Sequence, residues 1–341
     1  MPFKRIAIMG AGSMGTILGA YLSKANKDVI LIDAYSKHVE ALNNKGATVV
    51  GKVQFNTPVR AVTPDKIEGE FDIFFYLTKQ TANDVAIPQM ISHCHKDAII
   101  CCMQNGIPEM EIIKHWPEKQ ICGAPIGWGA TFLEPGISEL TSAEGAAVFH
   151  MGSIDGTIYP WIYEVKELLE CMCTAHLTTN LMAERWTKLT SNACLSGMST
   201  VTGGTFGDVM CDDIGIQCIV KTGKEGYNVA KAAGYTLGTL TGVDYDNCFS
   251  YTDAAGQKAC QEIFRDIKYR LIKDLVASML QDLRKGQKCE IRHINGLLCE
   301  TGDKYGVDTP MNDLIVKIVT EIEAGKRKYS MENLKEFLPL L

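Results

Sequence analysis

The chain lacks several features that would assign it to a class of protein at once. No stretch approaches the roughly 18 consecutive apolar residues of a membrane span, and a net charge of -6 gives no excess of cations for nucleic acid. Thirteen cysteines are present, but an odd number at irregular spacing is not a disulfide framework. These absences predict a protein with reduced thiols that binds neither nucleic acid nor membrane.

The first twenty residues resemble a secretory signal only in outline, because two cations precede a weakly apolar run. Gly10, Gly12, Gly15 and Gly19 interrupt that run, and no convincing small-residue cleavage site follows. We therefore expect a cytoplasmic protein.

One cysteine cluster, CMCTAH, has the chemistry of a metal site, since Cys171, Cys173 and His176 carry side chains that bind zinc. No second pair of ligands follows at the spacing of a zinc finger. The sequence therefore predicts no metal site, and the segment is interpreted as a strand between an acidic helix and a turn.

A length of 341 residues predicts two domains with a cleft between them, because single cores seldom grow past roughly 250 residues. In the first third, short apolar runs alternate with amphipathic segments, which is typical of a parallel sheet covered by helices. Alternating apolar positions over 127–152 predict antiparallel strands at the end of that sheet. Helical periodicity dominates the rest, with predicted helices at 163–172, 182–195, 213–233, 257–285 and 289–304, after a shorter one at 108–115.

The hexamer GAGSMG follows the first predicted strand and opens the first predicted helix. Gly10 permits a tight turn, Gly12 lets a pyrophosphate approach the backbone, and Gly15 allows close packing of the helix. N–H groups at the helix start, among Ala11, Ser13 and Met14, bind phosphate with the help of the helix dipole. The alternative is a merely tight turn. We predict an α/β fold, with a Rossmann domain of mostly parallel sheet over 1–180 and an all-α domain over 181–341.

Asp33 ends the second predicted strand, where a carboxylate accepts hydrogen bonds from the adenosine ribose and repels a 2'-phosphate. The next residues include no arginine to offset that repulsion, although Lys37 is within reach. The sequence therefore favours NAD(H) over NADP(H), with a simple helix cap as the alternative role of Asp33.

Two polar residues follow later strands, Lys79 in YLTKQ and Asn105 in MQNG. Open α/β sheets bind ligands at the carboxyl ends of their strands. We interpret Lys79 as a cofactor contact and Asn105 as a contact near the nicotinamide or substrate. The alternative is ordinary loop polarity, since Asn-Gly is a common turn.

The segment RWTKLTSNACLSG carries one cation among small polar side chains. On a regular helix Lys188, Asn192 and Ser196 fall within about 80° of one another, so they form a single polar stripe. A solvated surface would ordinarily carry more charge, and the stripe therefore indicates the wall of a cleft. Reduction of a ketone needs a proton donor, and partial desolvation lowers the pKa of a lysine toward the working pH.

A second set of polar residues lies in SMLQDLRKGQKCEIRHING. Ser278 and Asp282 share a helix face, Gly286 ends that helix, and Glu290 begins the next. From the residues alone, Glu290 is an ordinary first-turn acid favoured by the helix dipole.

Six segments together resemble the ketopantoate reductase family, the 2-dehydropantoate 2-reductases, from about Lys4 to Ile322: GAGSMG, LTKQ, QNG, RWTKLTSNACLSG, SMLQDLRKGQKCEIRHING and GVDTPMNDLI. The resemblance implies a Rossmann domain followed by a helical domain, with the substrate between them. It implies that Lys188 is the general acid and that Glu290 is a second catalytic residue. It further implies substrate contacts from Asn105, Asn192 and Ser278, and a cofactor contact from Lys79.

The chain departs from the family at two positions. Ser196 stands where members that reduce ketopantoate commonly have a second asparagine, and Ala34, after Asp33, stands where they commonly have an arginine for the 2'-phosphate. Both departures resemble the NAD-dependent D-2-hydroxyacid dehydrogenases of the same family, which reduce branched or aromatic 2-keto acids. The segment 242–264 also looks longer than in compact members.

The predicted function is hydride transfer from a nicotinamide cofactor to a small 2-keto acid, ketopantoate or similar. An NAD-dependent D-2-hydroxyacid dehydrogenase is the alternative. A β-hydroxyacid dehydrogenase does not account for the segment from Ser278 to Glu290, and a dinucleotide-binding regulator has little use for a lysine at that position. A homodimer is compatible with apolar stripes on the helical domain.

Overall fold

The computed structural model describes residues 3–142 and 147–341 of the chain. The chain divides into two units, Met1–Leu181 and Met182–Leu341. Among the described residues, no helix is both long and apolar enough to cross a membrane.

The first unit alternates strands and helices as the apolar runs predict. Its strands are β1 (Ile6–Met9), β2 (Val29–Ile32), β3 (Ala47–Gly51), β4 (Phe55–Thr57), β5 (Arg60–Val62), β6 (Phe71–Tyr76), β7 (Cys94–Cys102), β8 (Ile121–Gly123), β9 (Ala130–Glu134), β10 (Ile137–Leu140), β11 (Phe149–Ser153) and β12 (Ala175–Leu177). Its helices are α1 (Ser13–Lys24), α2 (Ser36–Lys45), α3 (Asn83–Ser92), α4 (Glu109–Ile112) and α5 (Ile162–Leu169).

Eight strands form the main sheet in the order β12-β11-β8-β7-β6-β1-β2-β5. Each neighbouring pair in the run β8-β7-β6-β1-β2-β5 is parallel. Strand β11 pairs antiparallel with β8. Their central residues are buried on both faces, which is why they read as continuous apolar runs. The strand order reverses at β1, between β2 and β6, and such a switch point is where open α/β sheets bind ligands. The predicted Rossmann fold is confirmed.

A second sheet of four strands, β4-β3-β10-β9, corrects one detail of the prediction. The β9 and β10 hairpin is antiparallel as expected, but it pairs with β3 and not with the end of the main sheet. β3 and β4 themselves were not predicted. Alternation identifies a strand without identifying its partner, and β3 and β10 lie far apart in sequence.

The second unit is built from helices that surround α9. They are α6 (Leu181–Ser191), α7 (Gly197–Thr202), α8 (Phe206–Cys211), α9 (Asp213–Ala232), α10 (Tyr245–Phe249), α11 (Ala254–Ile263), α12 (Tyr269–Ile272), α13 (Ser278–Arg284), α14 (Asn295–Tyr305) and α15 (Pro310–Glu323). Wide π turns occur at Asn192–Ser196 and Phe264–Lys268, and 3-10 segments at Ile291–His293 and Met331–Leu340. Helix α9 is capped at its N-terminus by Asp212, whose carboxylate accepts from the N–H groups of Ile214 and Gly215.

Four helix predictions need correction. The helix predicted over 289–304 begins only at Asn295, after the 3-10 segment Ile291–His293. The predicted helix over 257–285 breaks between α12 and α13, because the carbonyls of Lys273 and Leu275 accept hydrogen bonds from Gly207 and Phe206 at the start of α8. The predicted helix over 182–195 widens at Asn192. The one predicted over 108–115 is reduced to α4. A short hairpin, β13 (Thr239–Leu240) with β14 (Val243–Asp244), also means that this unit is mainly but not entirely α-helical.

Candidate active site

The glycine loop between β1 and α1 has the geometry of a dinucleotide site. Gly10 has φ of +100°, and a Cβ there would collide with the backbone nitrogen of Thr78 and lie 2.8 Å from the carbonyl carbon of Leu77. A Cβ on Gly15 would collide with the carbonyl oxygen of Gly10. Apart from the adjoining chain, no atom of the described residues lies within 4 Å of the position that a Cβ on Gly12 would take, so the backbone is open on that side.

This loop also provides hydrogen-bond donors. Gly12 is the N-cap of α1, and as a glycine it has no side chain that could cap the first N–H groups of the helix. The first turn of a helix carries N–H groups that its own backbone does not satisfy, and these groups bind phosphate. The open Gly12 backbone and the start of α1, with Ser13 and Met14, therefore fit the pyrophosphate of a dinucleotide. The Ala11 N–H was also expected to bind phosphate, but it donates to the Ile32 carbonyl at 3.0 Å.

His38, which no sequence pattern indicated, holds the glycine loop by a hydrogen bond to the Ala11 carbonyl. Its Nδ1 accepts from the Gly136 N–H at 3.0 Å, so Nε2 carries the proton and donates to the Ala11 carbonyl at 2.8 Å. Burial lowers the pKa of His38, which favours this neutral form. Its partners are 27 and 98 residues away, so no local pattern could have identified it.

Asp33 follows β2 at the same edge of the sheet. One carboxylate oxygen accepts from the Tyr35 N–H at 2.9 Å, which fixes the turn into α2. The side chain is partly exposed. The other carboxylate oxygen of Asp33 is the one that would accept a hydrogen bond from a ribose hydroxyl.

Lys79 and Asn105 lie in the loops after β6 and β7, and these two loops are tied together. The Gln80 amide donates to the Asn105 carbonyl at 2.6 Å, and the Gln104 amide donates to the Thr78 carbonyl at 2.7 Å. Lys79 is exposed and Asn105 is partly buried. In the first unit, the structure thus brings the glycine loop, Asp33, Lys79 and Asn105 to the carboxyl ends of adjacent strands.

In the second unit, Lys188 lies in an environment that disfavours its charge. The side chain of Lys188 is partly exposed, but its amine is surrounded by protein. Burial as the larger cause, and the positive charge of Arg185 as the second, lower the pKa of Lys188 to about 7. The Glu290 carboxylate opposes this shift and raises the pKa. Arg185 is fully buried one turn earlier on α6, and its role was not predicted from the sequence.

Asn192 and Ser196 are the first and last residues of a π turn that continues α6 into α7. The Gly197 N–H donates to the Asn192 carbonyl, five residues earlier, where an α-helix would bond four residues earlier. The stripe calculated for a regular helix therefore does not continue to Ser196. Asn192 is partly buried and Ser196 is buried. Such π turns occur frequently at functional sites.

Glu290 and Ser278 differ in their surroundings. Glu290 is only 6% exposed, immediately before the 3-10 turn Ile291–His293. Glu290 was expected to be a first-turn acid, but α14 starts only at Asn295, so the carboxylate lies outside the helix. Its negative charge acts on Lys188. Ser278 begins α13, which packs against the π turn, and its side chain is exposed. The structure thus places Lys188 and Glu290 within electrostatic reach, and Asn192 and Ser196 on the same continuous helix as Lys188.

The CMCTAH segment follows α5 and ends in strand β12, as interpreted. Burial raises the pKa of Cys171 and, to about 11, that of Cys173, so both thiols stay protonated near neutral pH. Within residues 3–142 and 147–341, no group of three or more His, Cys, Asp or Glu is arranged to hold a metal ion.

Comparisons with known proteins agree with this architecture. The family model described as ketopantoate reductase PanE/ApbA matches residues 6–155, and the model of its C-terminal part matches residues 180–323. A 2-dehydropantoate 2-reductase of Streptococcus pyogenes serotype M3 is 26% identical over 326 residues, covering 94% of this chain and 98% of its own. One from Archaeoglobus fulgidus is 25% identical, covering 95% and 100%.

Solved structures share the fold over nearly the whole chain. The ternary structure of a D-mandelate dehydrogenase with NADH and anilino(oxo)acetate has a TM-score of 0.80 at 23% identity, covering 94% of this chain and 99% of that one. A ketopantoate reductase family protein from Ralstonia eutropha JMP134 has a TM-score of 0.79 at 22% identity, with the same coverage. With both family models matched in sequence order, this chain belongs to the ketopantoate reductase family of oxidoreductases.

Proposed function

We propose that the protein reduces a small 2-keto acid to a D-2-hydroxy acid, with Lys188 as general acid and Glu290 as second catalytic residue. The observation that carries the proposal is the amine of Lys188, whose pKa of about 7 is set by burial, by Arg185 and by Glu290. A lysine with an ordinary pKa near 10.4 is a reluctant donor at neutral pH.

Each residue has a distinct task in this reaction. Lys188 donates a proton from Nζ to the carbonyl oxygen as that oxygen becomes a hydroxyl, and its positive charge stabilises the developing alkoxide. Glu290 keeps part of the amine population protonated and accepts a hydrogen bond from the substrate hydroxyl. Asn192, Ser196, Asn105 and Ser278 are the proposed substrate contacts.

A nicotinamide cofactor is supported by the family and by the NADH named for the D-mandelate dehydrogenase structures. It supplies the hydride when bound. The proposed contacts are the loop from Gly10 to Gly15, Asp33, Lys79 and Asn105. The Asp33 carboxylate favours NAD(H), since it would repel a 2'-phosphate, whereas NADP(H) would need help from Lys37.

Two substrate classes are candidates. The matched family models and the relatives named 2-dehydropantoate 2-reductase support ketopantoate or a similar keto acid. The second candidate, a branched or aromatic 2-keto acid, is favoured by Ser196, whose side chain is shorter than the asparagine common in ketopantoate-reducing members, and by Asp33. The likeness to D-mandelate dehydrogenase is compatible with it.

Replacement of Lys188 by methionine tests the proposed acid. We expect kcat for keto acid reduction to fall by roughly 10²- to 10⁴-fold, because a positioned general acid contributes that much. Lys224→Met is the matched control, since burial also lowers the pKa of Lys224 but its amine donates to the Phe249 carbonyl. Activity of Lys188→Met above a tenth of wild type, with Lys224→Met normal, would contradict the role.

The same lysine predicts a pH dependence. Reduction needs the ammonium, so kcat/KM, which reports the pKa of the free enzyme, should be constant at low pH and fall about tenfold per unit above the pKa of about 7. Oxidation of the hydroxy acid needs the neutral amine and should rise through the same pH range. A reduction rate that rises with pH through this range would exclude Lys188 as the acid.

Replacement of Gly12 by alanine tests the phosphate site. The new Cβ meets no atom of the described residues within 4 Å beyond the adjoining chain, so thermal stability should change little while NADH binding weakens at least about tenfold. Gly127→Ala is the control, because its Cβ would make only an ordinary contact at 3.6 Å with the Val148 carbonyl in the same unit. Calorimetric titration with NADH measures both variants, and equal affinity for them would remove the loop from the cofactor site.

A panel of 2-keto acids assayed with NADH and with NADPH tests the substrate and cofactor proposals together. We expect wild type to prefer NADH, and Asp33→Asn to shift the NADH/NADPH ratio of kcat/KM toward NADPH by about tenfold, because one repulsive charge is removed. The control is Asp65→Asn, an exposed acid before β6 with no proposed role. If wild type prefers NADPH with ketopantoate by a wide margin, the interpretation of Asp33 is wrong.

A further inference from the structure

The π turn at Asn192–Ser196 is supported from outside by a buried amide. In an α-helix the Ala193 carbonyl would accept from the Gly197 N–H, but in the wide turn that N–H donates to the Asn192 carbonyl. The Asn295 side chain supplies a donor in its place, with Nδ2 lying 3.1 Å from the Ala193 oxygen. A buried carbonyl without a donor costs free energy, so this bond favours the wide turn over a regular one.

The orientation of Asn295 is determined by a second bond. Asn295 is fully buried at the start of α14, and Nδ2 also donates to Oδ1 of Asn312 at 2.9 Å. A reversed amide would set Oδ1 of Asn295 against the two oxygens of Ala193 and Asn312, which both accept. The side chain therefore presents its donor to the π turn.

Asn312 is held in turn by the Glu225 carboxylate. That carboxylate accepts from the Asn312 amide at 2.7 Å and from the backbone N–H groups of Met311 and Asn312 at 2.8 and 3.0 Å. Three donors on one buried carboxylate fix the start of α15. The chain of bonds thus runs from Glu225 on α9 through Asn312 and Asn295 to the π turn.

Gly197 makes the approach of Asn295 possible. A Cβ on Gly197 would lie 3.1 Å from Nδ2 and 3.2 Å from Oδ1 of Asn295, closer than most such contacts. Because Gly197 has no side chain, the Asn295 amide can come close enough to bond to the Ala193 carbonyl.

We propose that Asn295 is a positioning residue for the reaction: through the Ala193 carbonyl it holds the π turn and so fixes where Asn192 and Ser196 project. This inference rests on the proposed function, in which these two side chains contact the substrate. It assigns no contact between Asn295 and substrate.

The test compares Asn295→Asp with Asn333→Asp in the full-length protein. Asn333 is also buried and also donates to a backbone carbonyl, that of Val201 at 2.9 Å on α7, beyond the π turn. We expect Asn295→Asp to lower kcat/KM for the preferred keto acid by roughly 10- to 100-fold, mainly through KM, with NADH affinity unchanged. Asn333→Asp should stay within about twofold of wild type.

A double-mutant cycle separates positioning from general damage to the fold. If Asn295 acts through Asn192 and Ser196, adding Asn295→Asp to the variant that carries both Asn192→Ala and Ser196→Ala should cost less than about twofold in kcat/KM. Multiplicative effects, or a kcat/KM of Asn295→Asp equal to that of Asn333→Asp, would overturn the inference. Asn295→Ser replaces Asn295→Asp throughout if the aspartate variant does not fold.

Hydrogen exchange provides a readout that needs no turnover. The amides of Ser196 and Gly197 should exchange at least about tenfold faster in Asn295→Asp than in Asn333→Asp, because the π turn loses its external donor. Equal protection in the two variants would contradict the inference. A wild-type protein that reduces no 2-keto acid would overturn the proposed function alone, and the exchange result would still decide whether Asn295 holds the turn.

Discussion

The proposed chemistry depends on one constraint, the free energy of protonating the amine of Lys188 inside the protein. Burial and Arg185 oppose this charge, and Glu290 supports it. Without Glu290 the amine would lose its proton at lower pH, and without burial it would hold the proton too firmly to donate it. The balance between the two gives an amine that can exchange a proton near neutral pH.

The remaining structure of the second unit keeps this helix in place. Gly238 N–H donates to the Thr187 hydroxyl at 2.6 Å, and the Tyr245 hydroxyl donates to Ser191 at 2.8 Å, so the residues flanking Lys188 are held on the side of the segment from 238 to 245. Asn295 holds the π turn from α14. Thr187 and Ser191 therefore have a structural role in this helix. The proposed chemical roles belong to Lys188, Asn192 and Ser196.

Local sequence was sufficient for the Rossmann class of the first unit, because the glycine spacing and the alternation of apolar runs with amphipathic segments are patterns within short stretches of the chain. The sequence also identified Lys188, because it is a cation among small polar residues in a helical segment. It could not predict the π turn, since that turn depends on Asn295, 102 residues away, supplying a donor to Ala193. His38, Arg185 and the pairing of β3 with β10 were missed for the same reason: burial and long-range partners decide them.

An NMR titration of the lysine side chains, with the Lys188 signal assigned from its loss in Lys188→Met, decides whether this amine can act as the proton donor. We expect a midpoint of about 7 for Lys188, well below that of exposed lysines near 10.4. A midpoint of 10 or above would show that the Lys188 amine is not prepared as a proton donor.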